Sequence, residues 1–475
     1  MSVAGPVRPA RILLLAEMYP PDPRVGGFRA RKLALALRAA GHDVHVMVMR
    51  AGDLTSGPLG ERLTLHVVAP WRSPLQLLRA VRTGRADSGE APTAGEEALA
   101  GTAASLGSSE LRGLKGALLS LLRTPDEWQG AVPAMARAAE RIGGAPFDLV
   151  YSTAPAFSMH LAAMRIARRW GTPWVMELRD PWRSSGSSRA AEASALSDWV
   201  DRRLYERCVR HASLLVTVAD GAAALLRTHV GDGRADRVIS VLNGIDEIAL
   251  DRPPRPARDA VRVVYTGSVY PPRDPGPLAQ AIARVHAQGG PEFELVFAGV
   301  TTPAETARIR AFTAGPAAAR TQIHAWLPQP EARALIRDAD LVLLPAQRWV
   351  RQIPNKLFDY VAARVPILAL VEPESEAEQM LAAVGGHHVI RTTDAPERVE
   401  AITRQALAAA ASADRLPVGD AAVLQPWTVA NQQRRLVRAV EALLAGRPIP
   451  HDEGASQRAA AAGAADPRLA PADAG

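Results

Sequence analysis

The chain has 475 residues, about three times the length of a typical single domain, and 48% of them are apolar and 22% charged. These values predict two or three ordinary globular domains, and the single cysteine, Cys208, excludes an internal disulfide and a multi-cysteine metal site. The apolar run at residues 12–16 is too short for a signal peptide, and nowhere do about 18 uncharged apolar residues follow one another. We therefore expect a cytoplasmic protein without a membrane-spanning helix.

The net charge of +7 is carried by arginine, because only three of the 56 basic residues are lysines. Arginine and alanine are abundant together, as in proteins from GC-rich genomes, so basicity alone is weak evidence for a polyanionic partner. Lys32, Lys115 and Lys356 each lack the preceding glycine of a Gly-Lys-Ser/Thr sequence, which excludes a P-loop. Aromatic residues make up 5%, and no nucleic-acid-binding motif is recognisable, so no nucleic-acid partner is expected.

The first half of the chain alternates apolar strands with amphipathic helices. Residues 11–16 and 44–48 predict strands, and the helix between them opens at Gly26-Gly27 and ends at Gly41. The same alternation continues with strands at 147–151, 174–177 and 214–218 and helices at 158–170 and 196–211. Strands that alternate with crossover helices form a parallel sheet covered on both faces.

A proline-rich linker at residues 250–260 precedes a second series of the same kind. This series predicts strands at 261–266, 294–298, 341–344 and 366–371, and helices at 277–288 and 331–337. The fold class is therefore α/β, with two facing Rossmann-like doubly wound domains at residues 1–250 and 251–426. A helix at 427–445 should return along their junction, and an insertion at about 83–110 and a tail at 446–475 are predicted to be disordered.

Ligands of open parallel sheets bind beyond the carboxyl ends of the strands, so the loops there hold the candidate sites. The loop after the first strand begins at Glu17 and ends in Gly26 and Gly27 at a helix N-terminus. Free backbone amides at such a terminus suit an anion such as a diphosphate, and glycine permits its close approach. An ordinary strand-to-helix turn is the alternative.

A second candidate loop follows the strand that ends at Glu177. It holds the carboxylate of Asp180 between the guanidinium groups of Arg179 and Arg183. This arrangement predicts a fixed polar group in a cleft, or alternatively a salt bridge within the loop.

The remaining two candidate loops lie in the second domain. Gly267 and Ser268 form a small-residue turn after a strand, and Arg273 follows within reach, with a planar guanidinium suited to phosphate oxygens. Lys356 and Asp359 share one face of a helix that starts near residue 354. A lysine in an arginine-rich chain indicates a tight phosphate contact, whereas an ordinary surface arginine and a surface ion pair are the alternatives.

Seven segments around these loops match a known family in order and spacing. They are Thr124-Pro-Asp-Glu-Trp128, Glu177-Leu-Arg-Asp-Pro-Trp182, Asn243-Gly-Ile-Asp246, Tyr265-Thr-Gly-Ser268, Trp326-Leu-Pro-Gln-Pro330, Asp340-Leu-Val-Leu-Leu-Pro345 and Pro354-Asn-Lys-Leu-Phe-Asp-Tyr360. Over residues 11–444 the chain resembles glycosyltransferase family 4, the retaining nucleotide-sugar transferases of the GT-B fold. It is most similar to bacterial enzymes of surface-polysaccharide and glycoconjugate assembly.

The resemblance assigns roles to the candidate residues. Gly26 and Gly27 would face the donor diphosphate from the N-terminal domain, and Arg273 and Lys356 would clamp it from the C-terminal domain. Asp180 would lie near the anomeric centre or the acceptor hydroxyl. The remaining expected donor-binding residues are Gly267, Ser268, Leu357 and Asp359, and the expected acceptor-side residues are Glu17, Arg179 and Arg183.

Asp359 matches the second of two acidic positions, eight apart, that this family uses to bind the donor. The second position usually bonds the ribose of the nucleotide. The first position falls on Arg351 in this chain, and an arginine there implies a different arrangement around the donor sugar.

The implied reaction transfers a sugar, with a UDP-linked donor expected from the habit of the family. Retention would use same-face attack assisted by the departing phosphate, since no two-carboxylate glycosidase pair is visible. No cofactor is expected, because Asp338-Ala-Asp340 precedes a strand, whereas a metal-binding motif would follow one. A nucleotide-sugar epimerase of GT-B build and a non-catalytic basic adaptor on membrane or nucleic acid are the alternatives.

Five leucines between residues 111 and 122 fall at helical spacing among basic residues. Such a helix could lie on the inner face of an anionic membrane and reach a lipid-linked acceptor, or it could pack on the domain core. Four arginines between residues 202 and 210 would widen a basic surface if they share a helix face.

Overall fold

The computed structural model describes residues 8–21, 25–73, 114–180, 182, 194–249, 259–270, 273–412 and 417–451. They form two compact units. The first contains the chain up to Val218, Ala222–Val241 and Gln433–His451, and the second contains Ala219–Gly221 and Leu242–Gln432. The predicted insertion at 83–110, most of the predicted linker and the tail from 452 onwards lie outside the described residues.

The first unit is built on a doubly wound sheet. Its strands are β1 Arg11–Leu15, β2 Asp43–Val48, β3 Gly57–Gly60, β4 Leu63–Val67, β5 Leu149–Ala154, β6 Trp174–Leu178, β7 Leu214–Thr217 and β8 Val238–Ser240. The helices are α1 Val25–Ala39, α2 Leu114–Leu122, α3 Ala131–Arg141, α4 Ser158–Trp170, α5 Ala195–His211 and α6 Asp220–Val230. The strand order is β3-β4-β2-β1-β5-β6-β7-β8, and every neighbouring pair is parallel except β3 with β4.

The core of this unit lies on both faces of the sheet. Ile12 and Leu14 of β1 belong to one apolar cluster and Leu13 and Leu15 to the other, because successive side chains of a strand point to opposite faces. A parallel sheet buried on both faces needs such continuous apolar strands. The sequence therefore predicts these strands well.

The second unit repeats the architecture with a simpler sheet. Its strands are β9 Val261–Thr266, β10 Phe293–Val300, β11 Thr321–Ala325, β12 Leu341–Ala346, β13 Ile367–Val371 and β14 His388–Arg391. Its helices are α7 Gly276–Ala287, α8 Pro303–Phe312, α9 Gln329–Asp338, α10 Asn355–Ala363, α11 Glu376–Val384, α12 Pro396–Ala411 and α13 Ala421–Leu424. The last helix, α14 Val429–Leu444, belongs to the first unit from Gln433 onwards. The strand order is β11-β10-β9-β12-β13-β14, with all neighbours parallel.

The predicted α/β class with two doubly wound sheets is confirmed. The structure adds the edge strands β3, β8, β11 and β14 and the neighbouring strand β4. They were not predicted, because they are short or half-exposed and so carry a weak hydrophobic pattern. Among the described helices, none combines the length and the apolarity that a membrane crossing requires.

The second unit starts at Leu242, earlier in the chain than the predicted boundary at 251. The amide of Ile245 donates to the carbonyl of Trp427 (2.8 Å), and the amide of Val429 donates to the carbonyl of Ile245 (2.8 Å). The amide of Leu242 donates to the side-chain oxygen of Gln432 (2.8 Å). These three bonds hold the segment at Leu242 to the second unit. Isolated bonds between distant residues produce no periodic pattern in the sequence, so the sequence did not predict this boundary.

Candidate active site

The strand order of the second sheet reverses between β9 and β12, where ligands of doubly wound folds bind. Gly267 follows β9 with a φ of 110°, and a Cβ atom there would collide with Nζ and Cε of Lys356 from α10. Glycine is therefore required at this position, both for the backbone conformation and for the approach of the lysine. The structure thus brings together two residues that the sequence singled out separately.

The ammonium group of Lys356 is held over an aromatic ring. Its Nζ donates to the hydroxyl of Tyr265 (3.0 Å) and lies 4.1 Å from the ring centroid. The Tyr265 hydroxyl in turn donates to the carbonyl of Ser268 (2.7 Å). Tyr265 therefore links the lysine to the Gly267-Ser268 turn.

Arg273 supplies a second cation at the same end of the sheet. Its guanidinium lies 4.5 Å from the ring centroid of Trp349 and 5.4 Å from that of Tyr270. Burial lowers the pKa of Lys356 well below its usual value, and the positive charge of Arg273 lowers it further. Two cations that repel each other at a strand end favour the binding of an anion such as a phosphate.

Glu305 anchors the other side of this turn. Its carboxylate accepts hydrogen bonds from the amides of Val269 (3.0 Å), Thr301 (2.8 Å) and Thr302 (2.9 Å), and it completes the capping box of α8. Burial by itself raises the pKa of Glu305, but these backbone hydrogen bonds outweigh it and the pKa is lowered. The carboxylate therefore stays ionised and partly offsets the cations.

Two further residues of α10 that are expected at the donor, Leu357 and Asp359, make other contacts in the structure. The side chain of Leu357 is fully buried in the core, and its amide donates to the carbonyl of Pro354 (2.9 Å). Its isobutyl group therefore fills the core and is not exposed to a ligand. Asp359 forms an ion pair with Arg333 (3.3 Å), which also pairs with Asp246 (2.6 Å).

Arg351, at the expected first acidic position, is exposed on the loop before α10. The carboxylates of the Asp338-Ala-Asp340 segment lie at the opposite, amino end of the sheet. Asp340 accepts from the amide of Arg262 (2.8 Å), and Asp338 accepts from its guanidinium (2.8 Å). Over the described residues, no group of three or more His, Cys, Asp or Glu side chains could hold a metal ion.

In the first unit, the two glycines at the start of α1 pack differently. A Cβ atom on Gly26 would come within 2.9 Å of the Arg179 guanidinium, whereas one on Gly27 would press on the backbone of Tyr19 and Pro20 at 3.3 Å. Gly26 thus leaves room for a cation at the helix N-terminus. Gly27 is buried and serves the strand-to-helix turn.

The guanidinium of Arg179 donates hydrogen bonds to backbone carbonyls, so its contacts are not limited to a salt bridge within the loop. Its Nε donates to Ala154 (2.9 Å) and its Nη2 to Pro155 (3.1 Å), both at the end of β5. Burial lowers the pKa of Arg179, and the carboxylates of Glu177 and Asp180 oppose this. The guanidinium is therefore fixed at the carboxyl edge of the first sheet.

The first unit also contains the other residues that are expected to lie near the acceptor or the anomeric centre. Glu17 lies half-buried two residues after the end of β1, and its carbonyl accepts from the amides of Met49 (3.0 Å) and Arg50 (3.2 Å). Asp180 is exposed beside Arg179. Arg183 lies outside the described residues.

A buried ion pair behind these residues was not anticipated from the sequence. Arg29 of α1 donates to the carboxylate of Glu177 (2.7 Å) and to the carbonyl of Val241 (2.9 Å). Glu177 is completely buried at the end of β6. The pair ties the first turns of α1 to the centre of the sheet and so positions Gly26.

Sequence reasoning also missed the roles of Glu305, Trp349 and Arg333 in the second unit. Glu305 carried a signal, because Thr302-Pro-Ala-Glu305 is a capping-box sequence. Trp349 and Arg333 carried none, since their partners lie far away in the chain.

Comparisons with known proteins agree with this architecture. Residues 26–244 match the model of the glycosyl transferase 4-like domain, and residues 260–407 match that of glycosyl transferases group 1. A search of curated protein sequences gives no match.

Solved structures share the fold at low sequence identity. HepE of Anabaena, solved with UDP and glucose, is 13% identical with a TM-score of 0.55, covering 91% of this chain and 100% of that one. The lipopolysaccharide outer core galactosyltransferase WaaB is 12% identical with a TM-score of 0.55, at coverages of 90% and 99%. A UDP-forming α,α-trehalose-phosphate synthase from Burkholderia xenovorans is 14% identical with a TM-score of 0.55, at 92% and 99%.

The two family models lie on the two sheets and between them include Gly26, Arg179, Gly267, Arg273 and Lys356. The doubly wound sheets, the cations at their carboxyl edges and the matched models lead to one conclusion. The chain belongs to the GT4-type glycosyltransferases of the GT-B fold.

Proposed function

We propose that this glycosyltransferase transfers a sugar, with retention of anomeric configuration, from a UDP-linked donor. The acceptor is a glycan, a lipid-linked molecule or a small molecule in the assembly of bacterial surface polysaccharide or glycoconjugate. The observation that carries the proposal is the pair of cations, Lys356 and Arg273, at the strand-order reversal of the second sheet. The UDP moiety is proposed by analogy with HepE and the UDP-forming synthase.

The proposed chemistry depends on the charge that develops on the leaving group. As the bond from the anomeric carbon to the phosphate oxygen breaks, its electron pair stays with the nucleoside diphosphate. Lys356 and Arg273 stabilise that charge, which is the task a divalent cation performs in other enzymes, and we propose that no metal is required. The acceptor oxygen bonds to the carbon from the same face and passes its proton to the departing phosphate.

The remaining residues are proposed to bind and orient the substrates. The turn at Gly267 and Ser268 and the N-terminus of α10 bind the diphosphate, as helix termini do for anions. In the first unit, Asp180 lies near the anomeric centre, and Glu17 and Arg179 bind the acceptor. The enzyme acts at the inner face of the cell membrane when its acceptor is lipid-linked.

A donor screen tests the proposal. The protein is incubated with a panel of nucleotide sugars, with and without acceptor extracts, and nucleotide release is followed. Lys356→Ala and Arg273→Ala should each lower release by about 10²- to 10³-fold, as the loss of a contact to developing charge does. Arg308→Ala removes an exposed arginine of α8 in the same unit and should leave release unchanged.

The outcomes separate the alternatives. No release with any donor, or full activity in both alanine variants, would contradict the assignment. Interconversion of two nucleotide sugars without release would identify an epimerase. Salt-sensitive membrane or nucleic-acid binding without turnover would identify an adaptor.

A further inference from the structure

Three large apolar side chains are exposed on two helices of the first unit that pack together. Leu118 of α2 is 53% exposed, and Leu196 and Trp199 of α5 are 55% and 54% exposed. The two helices are joined by a hydrogen bond between the hydroxyls of Ser120 and Ser197 (2.7 Å). Leu196 and Trp199 are three residues apart and so share one face of α5, where they form an apolar patch.

The patch continues along α5 as a row of arginines. Leu196, Trp199, Arg203, Arg207 and Arg210 are all exposed, and their spacing of three, four, four and three residues places them on one face of the helix. The row is therefore apolar at the start of α5 and cationic at its end. Of the four arginines noted in the sequence, three share this face.

The cationic end is not neutralised by neighbouring carboxylates. Arg203 lies 3.8 Å from Glu206 and 5.6 Å from the Trp199 ring centroid. Within the described part of the chain, no carboxylate lies within ion-pair distance of Arg207 or Arg210. The face thus carries net positive charge next to exposed apolar groups.

We propose that this face of α5 docks on an anionic lipid bilayer. Tryptophan and leucine side chains bind in the interfacial region of a bilayer, and arginines contact the lipid phosphates beside it. A second copy of the chain would bring like charges together, and a nucleic acid would leave the apolar side chains of Leu196 and Trp199 exposed to water. The inference deepens the proposed function, because it places the first unit, which is to bind the acceptor, against a lipid surface.

Vesicle binding by the full-length protein tests this proposal without substrate. Sedimentation is measured with vesicles of phosphatidylcholine and phosphatidylglycerol, and with phosphatidylcholine alone. Binding should require the anionic lipid and weaken with added salt. Arg207→Gln with Arg210→Gln should lower the affinity by about 25-fold, at about fivefold per arginine, and Leu196→Ala with Trp199→Ala by about tenfold or more.

Matched variants control for charge and for an exposed tryptophan. Arg308→Gln with Arg310→Gln changes the net charge equally on α8, and Trp326→Ala removes a 59% exposed tryptophan after β11. Both should bind vesicles as the wild type does. Lys356→Ala should also bind normally, so failure of the proposed chemistry remains distinguishable from failure of docking.

Three results would overturn the proposal. The first is equal binding to neutral vesicles, and the second is unchanged binding of both α5 double variants. The third is a dimer in vesicle-free solution that dissociates in Leu196→Ala with Trp199→Ala, because the patch would then serve a second copy of the chain.

Discussion

The ammonium group of Lys356 lies where burial and the nearby Arg273 both oppose its charge. A bound diphosphate would supply the opposite charge and raise the pKa of the lysine again. Nucleotide binding and proton uptake are then linked. The affinity for UDP should therefore decline as the pH rises through the pKa of the free lysine, by up to about tenfold per pH unit.

Calorimetric titration of UDP over a series of pH values measures this dependence. Lys356→Gln keeps a polar side chain but cannot be charged, so its affinity should be low throughout and should not show this decline. The same slope in Lys356→Gln as in the wild type would assign the titration to another group.

The role of Gly267 can be tested by comparison with Gly289, which also has a positive φ but has no atom close to the position of an added Cβ. Gly267 has a φ of 110° and lies against Lys356, whereas Gly289 has a φ of 82° and nothing within 4 Å of an added Cβ. Substitution by alanine should cost both variants about 1–2 kcal/mol of unfolding free energy, since both force a left-handed backbone. Only Gly267→Ala should also weaken UDP binding, by about tenfold or more, because it displaces Lys356.

Denaturant unfolding and UDP titration of the two variants provide the comparison. Equal loss of UDP affinity in Gly289→Ala would show that general destabilisation, and not the position of Lys356, controls binding.

At the level of single elements, helix α4 depends on a carboxylate from a distant loop. Asp126 is buried and accepts from the amide of Ser158 (2.8 Å), from its hydroxyl (2.6 Å) and from the amide of Trp128 (2.8 Å). Its place in the Thr124-Trp128 segment therefore has a structural reason. The bonds fix the N-terminus of α4 beside the carboxyl end of β5.

Asp126→Ala should lower the free energy of unfolding by about 2 kcal/mol or more, because it leaves buried donors without partners. Asp420→Ala is the matched control, since Asp420 is exposed and caps α13 with one bond to the amide of Ala422 (2.9 Å). Its cost should be about 1 kcal/mol or less. A similar small cost for both variants in urea unfolding would show that the Asp126 bonds are weak.

At the scale of the whole molecule, the proposed function assigns the nucleotide donor to the second unit and the acceptor to the first, which predicts the segments that UDP stabilises. UDP alone should slow amide hydrogen exchange at the end of β9 and the start of α10 in the second unit, because binding stabilises the segments it contacts. Peptides from β1 and β2 should exchange at unchanged rates. Exchange measured by mass spectrometry in the wild type and in Lys356→Gln checks this, and protection confined to the first unit would contradict the assignment of the donor.

Much of this architecture follows from local pattern. Buried parallel strands must be apolar throughout, so β1, β9, β12 and β13 lie within about two residues of their predicted bounds and β5 within about three. Crossover helices are amphipathic, but α3 and α8 were not predicted. Glycine and proline punctuate the same segments for steric reasons that do not depend on the rest of the fold. Edge strands such as β11 are half-exposed and escaped prediction for that reason.

The contacts that define the candidate site join residues far apart in the chain. Lys356 meets Tyr265, Arg333 joins Asp246 to Asp359, and Leu357 is buried next to exposed Asn355, although one helix carries both. Likewise, the spacing of α5 defines a helix face, but only packing decides that this face is exposed. Sequence pattern determines which elements form, because their energetics are local. Which side chains meet, and which remain in water, depends on how the chain folds back on itself.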